Sequence, residues 1–579
     1  MKRIILLCLT AVCTTLAASE RSQKEMQEIA LNHFAPSSGV KATAGHGAVV
    51  KEPLCILSAS TYSVYASPTD DRFVIVSKSD LTSPVIGYAQ GRFTDATMAP
   101  GLRWYLSVVE RNIQHAEATH THLGGPGIMK APTTPVEPFI TTLWHQSDPY
   151  NMKTPNNYPA GCVAVALAQC INYCRYPSKA QFRGYCYYTE SASSTRYTID
   201  SLDINDIYFY PYLDLYGRAT EGQKKSVATL VRDCGYATYM QYSKKGSGTY
   251  LYEAGIALTT RFSYPDECIK YAERSAFGGS QDDWNQIIYD EIHKRCPVIY
   301  GGQDENEGGH AFVFCGLDAD GLVYVNWGWG GDGDGFFDIS LLNPGEMQFS
   351  SSQDMIYGIR KAPLEGDRPE PRIFSYNGQP YTFSFADEKD DDGKSHIALH
   401  ISFNAGMVNM SPVTMDGEFG LFGTDITTGK NWQIKETDPD TWTPGVGYFL
   451  REPAALFYYY MEDALVAGHT YRISFGSRDK REGQWHSIIC EGGEIGYEIY
   501  YTGDAATCTI SERMEPLYDG IRAITPTNDA SESDALTRVY DTSGRLVYTS
   551  PTAQFNLWNV PARGVLVVKQ GNDVKKVVR

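Results

Sequence analysis

Apolar and polar positions in the first 123 residues follow two different periods. Residues 22–33 place apolar side chains at helical spacing, and a second helical pattern carries Leu102, Tyr105 and Val109. Between these helices lie short apolar runs, bounded by turn-forming residues, that are typical of strands: 62–65, 73–76 and 85–88. The pattern predicts one small unit of helices and strands.

The rest of the chain changes from a mixed pattern to a mainly strand-like one. Helical runs and glycine-bounded strands share residues 138–362, whereas 370–512 shows short alternating runs separated by acidic turns. A polar stretch at 525–534 precedes a last group of strand patterns. Gly/Pro-rich segments at 124–137 and 361–369 are expected to be exposed linkers. The predicted fold class is therefore α+β, followed by all-β, sandwich-like modules at the carboxyl-terminal end.

The amino-terminal segment has the composition of an export signal. Residues 1–3 are a basic start, 4–16 are an apolar run, and 17–19 are the small residues that a signal peptidase requires. A lipoprotein signal that uses Cys13 is disfavoured because Val12, which precedes it, is bulky. No later stretch approaches 18 consecutive apolar residues, so no transmembrane segment is expected. We expect the chain to be secreted or to lie at the outer cell surface.

Charge and cysteine content narrow the classes of partner. The chain has 579 residues and a formal net charge of −18, which argues against nucleic acid, because phosphate binding needs a basic surface. Of the 13 cysteines, two fall in the export signal and the others show no repeating spacing, so no disulfide framework is predicted. Cys170 and Cys174 are interpreted as a packed helix face rather than as metal ligands.

One cysteine stands where a helix is predicted to begin. Cys162 follows the turn-forming run Pro159-Ala160-Gly161 and opens an apolar run of helical character. The first N–H groups of a helix are unpaired and carry partial positive charge, which favours a thiolate over a thiol. A thiolate is the form that attacks carbonyl carbon. From this run alone, Cys162 is either a nucleophile or a small buried apolar residue.

Partners for such a nucleophile occur farther along the chain. His310 precedes an apolar run that predicts a buried strand, so its imidazole would be held by a rigid element. Asn326 follows another strand pattern and could accept the imidazole N–H, while Trp327 could shield that contact from water. Upstream, the Gln146 side-chain amide could donate to an oxyanion together with the Cys162 backbone N–H.

The order of these residues resembles that of papain-like cysteine peptidases. Three sequence words look specifically like the streptopain (C10) family: Gly-Cys-Val-Ala-x-Ala-x-Ala-Gln from 161, Gly-His-Ala-Phe-Val from 309, and Val-Asn-Trp-Gly-Trp-Gly-Gly from 325. The resemblance covers about 50–362. It includes the run Pro84-Val85-Ile86-Gly87-Tyr88, which looks like part of the inhibitory propeptide of that family.

The resemblance implies a role for each matching residue. Cys162 would be the nucleophile, His310 the general base and acid, and Gln146 a donor in the oxyanion hole. The residues that would orient the imidazole or wall the site are Asn326, Trp327 and Trp329. No metal or other cofactor is implied, although reducing conditions would be needed to keep Cys162 as a thiol. The family also implies a preference for an apolar side chain at the second position before the scissile bond.

The resemblance also assigns the chain a zymogen organisation. The predicted parts are a signal peptide at 1–18, an inhibitory propeptide at 19–132, a papain-like peptidase domain at 133–362, a β-sandwich module at 370–512 and a carboxyl-terminal β-domain at 525–579. Cleavage within 124–137, for example at Lys130, would release the propeptide. The expected partners are protein substrates and the chain's own propeptide, which would act as an intramolecular inhibitor.

The last predicted unit suggests a second kind of partner. Residues 535–579 carry a net charge of +5, and the runs at 539–547 and 563–569 resemble the sorting domain of type IX secretion substrates from Bacteroidetes. That resemblance implies recognition by a bacterial secretion machinery. An ordinary terminal β-sandwich is the alternative.

Other functions remain open on the sequence. A cell-wall peptide amidase or transpeptidase would use the same Cys162 and His310, although a propeptide argues against it. A non-catalytic surface adhesin is a third possibility. A calcium loop around Asp332, Asp334 and Asp338 is disfavoured because the run lacks the length and the terminal glutamate of an EF-hand loop.

Overall fold

The computed structural model shows two compact units. The first comprises Met1–Phe374, Val408–Met415 and Trp442–Tyr448, and the second comprises Ser375–Met407, Asp416–Thr441 and Phe449–Arg579. The structure describes residues 20–34, 52–94, 98–123, 134–177, 186–199, 201–202, 219–274, 277, 281–304, 308–342, 353–371, 373–375, 381–389, 393, 395–403, 406–426, 428, 431–436, 440–445, 447–449, 457–460, 466–481, 485–490, 493–504, 507–515, 536–541, 546–551, 565–570 and 573–578. The predicted export signal, most of the 124–137 linker and the 525–534 stretch lie outside these residues.

The helices of the described chain all belong to the first unit. They are α1 (Gln23–Phe34), α2 (Pro100–Thr119), α3 (Cys162–Cys174), α4 (Glu221–Ala237), α5 (Tyr252–Thr260) and α6 (Gln281–His293). The start of α4 shows how the sequence fixes a boundary. The Thr220 hydroxyl accepts a hydrogen bond from the Gln223 N–H, and the Gln223 side chain accepts one from the Thr220 N–H, which satisfies two otherwise unpaired donors.

A ten-stranded antiparallel sheet forms the centre of the first unit. The strands of this unit are β1 (Leu54–Ser58), β2 (Tyr62–Ala66), β3 (Arg72–Ser77), β4 (Val85–Gln90), β5 (Cys186–Glu190), β6 (Thr195–Ile199), β7 (Gln241–Tyr242), β8 (Lys270–Glu273), β9 (Val298–Asp304), β10 (Gly308–Leu317), β11 (Val323–Asn326), β12 (Gly335–Phe337) and β13 (Gln353–Tyr357). Their order in the large sheet is β1-β2-β3-β4-β12-β11-β10-β9-β13-β8. Strands β6, β5 and β7 form a separate small sheet.

Apolar side chains alternate along β10 and separate two hydrophobic cores. Ala311 and Val313 pack with α3 and α5 on one face of the sheet, whereas Phe312 and Phe314 pack with α2 and α6 on the other. This alternation is the period of two that a strand imposes. Strand β10 is therefore covered by helices on both faces, which explains why its sequence is an almost continuous apolar run.

The segment before residue 124 joins the same sheet as the rest of the first unit. The predicted strands at 62–65, 73–76 and 85–88 are confirmed as β2, β3 and β4, and the two predicted helices are confirmed as α1 and α2. Strand β4 pairs with β12, so that Gly87 faces Phe337 and Ala89 faces Gly335. The amino-terminal segment thus extends the central sheet instead of forming a separate body.

The predicted linker at 361–369 is held by charged contacts rather than left free. Two nitrogens of the Arg360 guanidinium contact Asp367, at 2.5 and 3.1 Å from its Oδ2, and a third lies 3.1 Å from Glu291 Oε2. Asp367 Oδ2 also accepts the Leu364 N–H at 2.7 Å. These contacts turn a Gly/Pro-rich sequence into a fixed strap along the first unit.

Strands dominate the second unit and the segment that leads into it. Their bounds are β14 (Ile373–Ser375), β15 (Tyr381–Lys389), β16 (Ser395–Phe403), β17 (Gly406–Asn409), β18 (Met415–Asp425), β19 (Asn431–Glu436), β20 (Asp440–Trp442), β21 (Gly447–Phe449), β22 (Phe457–Tyr460), β23 (His469–Asp479), β24 (Trp485–Ser487), β25 (Ile489–Cys490), β26 (Gly493–Tyr501), β27 (Thr509–Glu515), β28 (Leu536–Asp541), β29 (Leu546–Pro551), β30 (Val565–Gln570) and β31 (Asp573–Val578). In the second unit, β19, β18, β23 and β26 are successive neighbours in one sheet, β15-β16-β22 form another, and β29-β28-β30-β31 form a third.

The mixed α+β class predicted from the sequence is confirmed for the chain as a whole. The separate domain boundaries, the inhibitory role of the amino-terminal segment and the sandwich-like packing of the carboxyl-terminal strands stay predictions. None of the described helices has both the length and the apolar character that crossing a membrane requires.

Candidate active site

Cys162 lies at the first residue of α3, directly after a glycine whose conformation other residues rarely adopt. Gly161 has a φ of +91°, and a side chain there would collide with Met240 and crowd the Ser247 carbonyl. Glycine therefore permits both the left-handed turn and the close approach of the 240–247 segment. The turn ends at a helix start, as the sequence predicts, and leaves Cys162 half-buried.

Backbone N–H groups of three residues favour a thiolate at Cys162. They belong to Cys162 itself, to Val163 in the first turn of α3, and to Ala311 on β10. Burial raises the pKa of the Cys162 thiol, and these N–H groups act in the opposite direction by stabilising the thiolate. In this structure burial outweighs the donors, so the simple expectation of a lowered thiol pKa at a helix start does not hold here.

His310 is half-buried near the start of β10 and next to the residue that contacts the thiol. In the β9–β10 ladder His310 faces Gly302, and Ala311 faces Gly301. Because side chains alternate along a strand, the His310 position shares its face with Phe312, whereas Ala311 shares the face of α3. The structure therefore brings the backbone of the candidate base to the candidate nucleophile.

Gln146 is fixed beside Cys162 through the backbone. Its carbonyl accepts a hydrogen bond from the Ala160 N–H at 2.9 Å, two residues before Cys162. Its own N–H donates to His145 Nδ1 at 2.8 Å, and the Ser147 N–H donates to the same nitrogen at 3.0 Å. The predicted neighbourhood of Gln146 and Cys162 is therefore present, and the turn that carries Gln146 is held by an imidazole acceptor.

His145 is a residue of this site that the sequence analysis did not single out. Its ring packs against Trp329, tilted by 36°, with 4.4 Å between the ring centres. Burial lowers the pKa of His145, although Asp332 acts in the opposite direction. A neutral imidazole suits its position, because Nδ1 must accept two N–H groups. In the sequence, the only feature that pointed to His145 is its position directly before Gln146.

Asn326 belongs to a closed ring of buried hydrogen bonds. Its Oδ1 accepts from Gln169 Nε2 at 3.0 Å and from the Gly328 N–H at 3.0 Å, and its Nδ2 donates to the Thr142 carbonyl at 2.8 Å. The Thr142 hydroxyl closes the ring by donating to Gln169 Oε1 at 2.7 Å. Gln169 lies two turns along α3 from Cys162. The ring, here called the Thr142–Gln169–Asn326 ring, joins three segments that carry predicted site residues.

The two predicted tryptophans have different surroundings. Trp327 is buried against Phe312 and against Tyr105 of α2, with ring centres 4.8 and 6.2 Å apart. Trp329 lies on His145, next to the turn of Gln146. Trp329 thus contacts the segment of the predicted oxyanion donor, and Trp327 contacts the amino-terminal segment.

The aspartates that follow the tryptophans make internal contacts. Asp334 Oδ1 accepts the Trp327 N–H at 2.8 Å, and Asp338 Oδ1 accepts the Ser340 N–H at 2.9 Å. Burial raises the pKa of Asp334 to about 7. Both carboxyls therefore fix the backbone around β12.

The other cysteines near α3 differ from Cys162 in their surroundings. Burial raises the pKa of Cys170 well above its ordinary value and raises that of Cys174 to about 12. Cys170 is fully buried on the helix face. All the cysteines whose bonding the structure describes are free thiols. Cys162 is distinguished among these three by the number of backbone donors at its sulfur.

Comparisons with known proteins bear on the same residues. The model of the peptidase C10 family matches residues 144–337, a range that contains Gln146, Cys162, His310 and Asn326. A solved fragment of prointerpain A from Prevotella intermedia is 31% identical, with 54% of this chain and 99% of that one aligned and a TM-score of 0.46. The chain belongs to the peptidase C10 family.

Other C10 relatives carry names that state the type of chemistry. The active interpain A cysteine protease of P. intermedia is 34% identical, with 41% of this chain and 98% of that one covered and a TM-score of 0.34. Streptopain from Streptococcus pyogenes is 28% identical over 374 residues, which are 59% of this chain and 92% of streptopain. The C10 chain described here is a cysteine-type peptidase.

One C10 relative is much longer than the aligned region. The thiol protease/hemagglutinin PrtT from Porphyromonas gingivalis is 30% identical over 349 residues, or 55% of this chain. This chain spans 39% of the length of PrtT. The likeness therefore concerns a part of PrtT and not its full organisation.

Proposed function

We propose that this chain is a secreted cysteine endopeptidase that is made as a zymogen. The observation that carries the proposal is the position of Cys162 at the start of α3, where backbone N–H groups of α3 and β10 favour its thiolate. Such donors stabilise a thiolate once water or a base can take its proton. The thiolate then attacks the carbonyl carbon of a peptide bond and forms an acyl-enzyme.

The oxyanion of the tetrahedral intermediate needs donors close to the nucleophile. The Cys162 backbone N–H and the Gln146 side chain are assigned this role. The hydrogen bond from the Ala160 N–H to the Gln146 carbonyl supports the assignment, because it sets the two residues side by side. Fixed donors cost no reorganisation when the negative charge develops, which is why they lower the barrier effectively.

His310 is assigned the role of general base and later of general acid. It would take the Cys162 proton and return it to the leaving amine. The start of β10 supports this assignment, since the N–H of Ala311, the next residue, favours a thiolate at Cys162. The imidazole of His310 is carried by the residue directly before Ala311 on β10, one position from a backbone donor that favours the thiolate.

The supporting residues are assigned roles in holding this arrangement. Asn326 would orient the imidazole from the end of β11 while remaining part of its hydrogen-bonded ring. Trp329 would wall the site beside His145. Trp327 would connect the site to α2, because its ring packs against Tyr105.

The amino-terminal segment is proposed to keep the enzyme latent as an inhibitory propeptide. Trp104 of α2 lies against Gly302, the residue that faces His310 in the β9–β10 ladder. The same helix donates from Tyr105 Oη to the Asp338 carbonyl at 3.0 Å. Through these contacts the propeptide reaches the strand pair that carries the base. Cleavage in 124–137 would release it.

The remaining regions are proposed to direct the enzyme out of the cell. The 1–18 segment would be the export signal, and 525–579 would be recognised by a bacterial secretion machinery of type IX. The mature enzyme would then act on protein substrates outside the cell or at its surface. The basic charge of 535–579 supports a separate role for the last unit.

The proposal is tested by the proteolytic activity of the purified precursor and of Cys162→Ala. We expect the wild-type chain to mature and to digest casein in the presence of dithiothreitol, and Cys162→Ala to remain at precursor length without activity. Cys174→Ser is the matched control, since it changes a half-buried thiol on the same helix. Digestion by Cys162→Ala at the wild-type rate would refute the proposal.

A further inference from the structure

Helix α5 is buried on every side. The five consecutive residues 254–258 are all buried, and five successive positions cover the full circumference of a helix. Ala254, Ala257 and Leu258 lie in the core that also contains the buried residues of α3. A helix that is apolar all round is stable only where its outer side is covered as well. Helix α5 therefore requires a cover opposite this core.

Two short segments from the strand-rich part of the chain belong to the first compact unit. They are Val408–Met415 and Trp442–Tyr448, and together they are here called the clip. The fully buried Asn409 fastens the two segments to each other. Its Nδ2 donates to the Val413 carbonyl at 2.7 Å and to the Trp442 carbonyl at 2.8 Å. The clip is therefore hydrogen-bonded around one side chain.

The clip lies against the side of α5 that is opposite to the core shared with α3. At about 100° per residue, Ile256 and Thr259 are on this side. The Thr259 hydroxyl donates to the Pro412 carbonyl. A carbon atom placed on Gly445 would lie 3.5 Å from Ile256 Cδ1, and one placed on Gly255 would lie 3.6 Å from Pro412 Cβ. A hydrogen bond and two close approaches of apolar atoms therefore join the clip to α5.

We propose that the clip is a required part of the peptidase fold in this chain and stays bound to α5 in the mature enzyme. Without the clip, the buried Ile256 would lose its cover and the Thr259 hydroxyl would lose the Pro412 carbonyl. The strand-rich region that supplies the clip is then retained during maturation and is more than a spacer. The proposal goes beyond the proposed function, because it assigns a partner to the outer side of α5 in the precursor as well.

The first test measures amide hydrogen exchange in the full-length Cys162→Ala chain, which is used so that no conversion occurs during the measurement. Thr259→Val and Asn409→Ala are introduced separately into this chain. Thr229→Val on α4 is the matched control, because the Thr229 hydroxyl donates to the Lys225 carbonyl of its own helix at 2.7 Å.

We expect exchange in residues 252–260 to become about three- to ten-fold faster in Thr259→Val, as expected for the loss of one hydrogen bond that closes the outer side. Asn409→Ala should accelerate exchange there at least as much, because the two segments of the clip separate. Exchange in 221–237 should stay at its original rate in both variants, and Thr229→Val should leave 252–260 unchanged. Unchanged exchange of 252–260 in both clip variants would overturn the proposal.

The second test determines which residues remain in the active species. The wild-type precursor is converted in the presence of dithiothreitol, and the fraction that digests casein is isolated by gel filtration and analysed by mass spectrometry. We expect this fraction to contain residues 408–448, either in one chain or as a nicked piece that co-purifies. An active fraction without these residues would overturn the proposal. Failure of the wild-type chain to convert or to digest casein would refute the proposed function, whereas hydrogen exchange would still decide whether the clip covers α5.

Discussion

At the scale of single residues, the backbone N–H groups around a cysteine decide whether its thiolate is stabilised. Cys162 and Cys174 begin and end the same helix. Of these two thiols, only Cys162 has backbone N–H groups, from α3 and β10, that favour its thiolate. The sequence indicated Cys162 and His310 because their motifs are local. It could not indicate His145 or Thr142, because their roles arise from contacts across the fold.

Gln146→Ala tests the assigned oxyanion donor. We expect kcat to fall by about two to three powers of ten, since a donor to the developing negative charge is lost. Alkylation of Cys162 by iodoacetamide should keep its wild-type rate, because that reaction forms no oxyanion. A kcat within a factor of two of wild type would remove Gln146 from the site.

Substitutions at Thr142 test the Thr142–Gln169–Asn326 ring as a positioning element. Thr142→Val removes the hydroxyl that donates to Gln169, at nearly constant volume, whereas Thr142→Ser retains it. We expect Thr142→Val to lower kcat about ten-fold with little change in KM, because the catalytic segments lose their fixed spacing. Thr142→Ser should restore most of kcat. Equal kcat values for the two variants would contradict a positioning role, whatever their thermal stabilities.

At the scale of elements, helix α2 and strand β4 connect the proposed propeptide to the candidate site. The sequence predicted both elements from their periods. It could not predict that β4 would pair with β12, because strand partners distant in sequence leave no local pattern. Nor could it predict that the 361–369 segment is held by Arg360, since its composition is that of a free linker.

Trp104→Ala tests the contact between α2 and the ladder of His310. Removal of this buried ring should cost about 3–5 kcal/mol of packing free energy at the junction. We therefore expect the precursor to mature faster than wild type, as measured by gel electrophoresis over time. Phe93→Ala is the control, because Phe93 packs on Phe73 within the amino-terminal segment. If only Phe93→Ala accelerates maturation, general instability of that segment is the cause and the assigned contact is wrong.

Asp367→Ala tests the strap that follows the peptidase region. Burial acts to raise the pKa of Asp367, but the Arg360 guanidinium and the Leu364 N–H outweigh it and hold the pKa below its ordinary value. The substitution should lower the free energy of unfolding by about 2 kcal/mol at pH 7. Glu365→Ala, an exposed change in the same strap, should have little effect.

The pH dependence of this difference follows from the lowered pKa. A carboxyl whose pKa is lower in the folded state stabilises the fold above its unfolded pKa and loses this effect as the pH falls through the folded value. The difference between wild type and Asp367→Ala should therefore shrink below about pH 4. A difference that stays constant down to pH 2, followed by urea unfolding, would show that the ion pair is not its source.

At the scale of the whole molecule, the sequence distinguished a mixed region from a strand-rich one, and the described elements agree with that division. The family follows from relatives that are about 30% identical and from a family model that matches the region of the predicted motifs. The export signal and the secretion role of the last unit remain predictions that rest on composition. No ligand is predicted for the second unit.

The most direct test of a Cys162 peptidase is to map the site of an irreversible thiol inhibitor. Matured protein is incubated with a labelled epoxysuccinyl inhibitor, digested and analysed by mass spectrometry, with Cys174→Ser as control. We expect the label on Cys162 alone, in proportion to the loss of casein cleavage. Loss of activity with the label on another cysteine, or full labelling of Cys162 with activity retained, would contradict the assignment of Cys162 as the nucleophile.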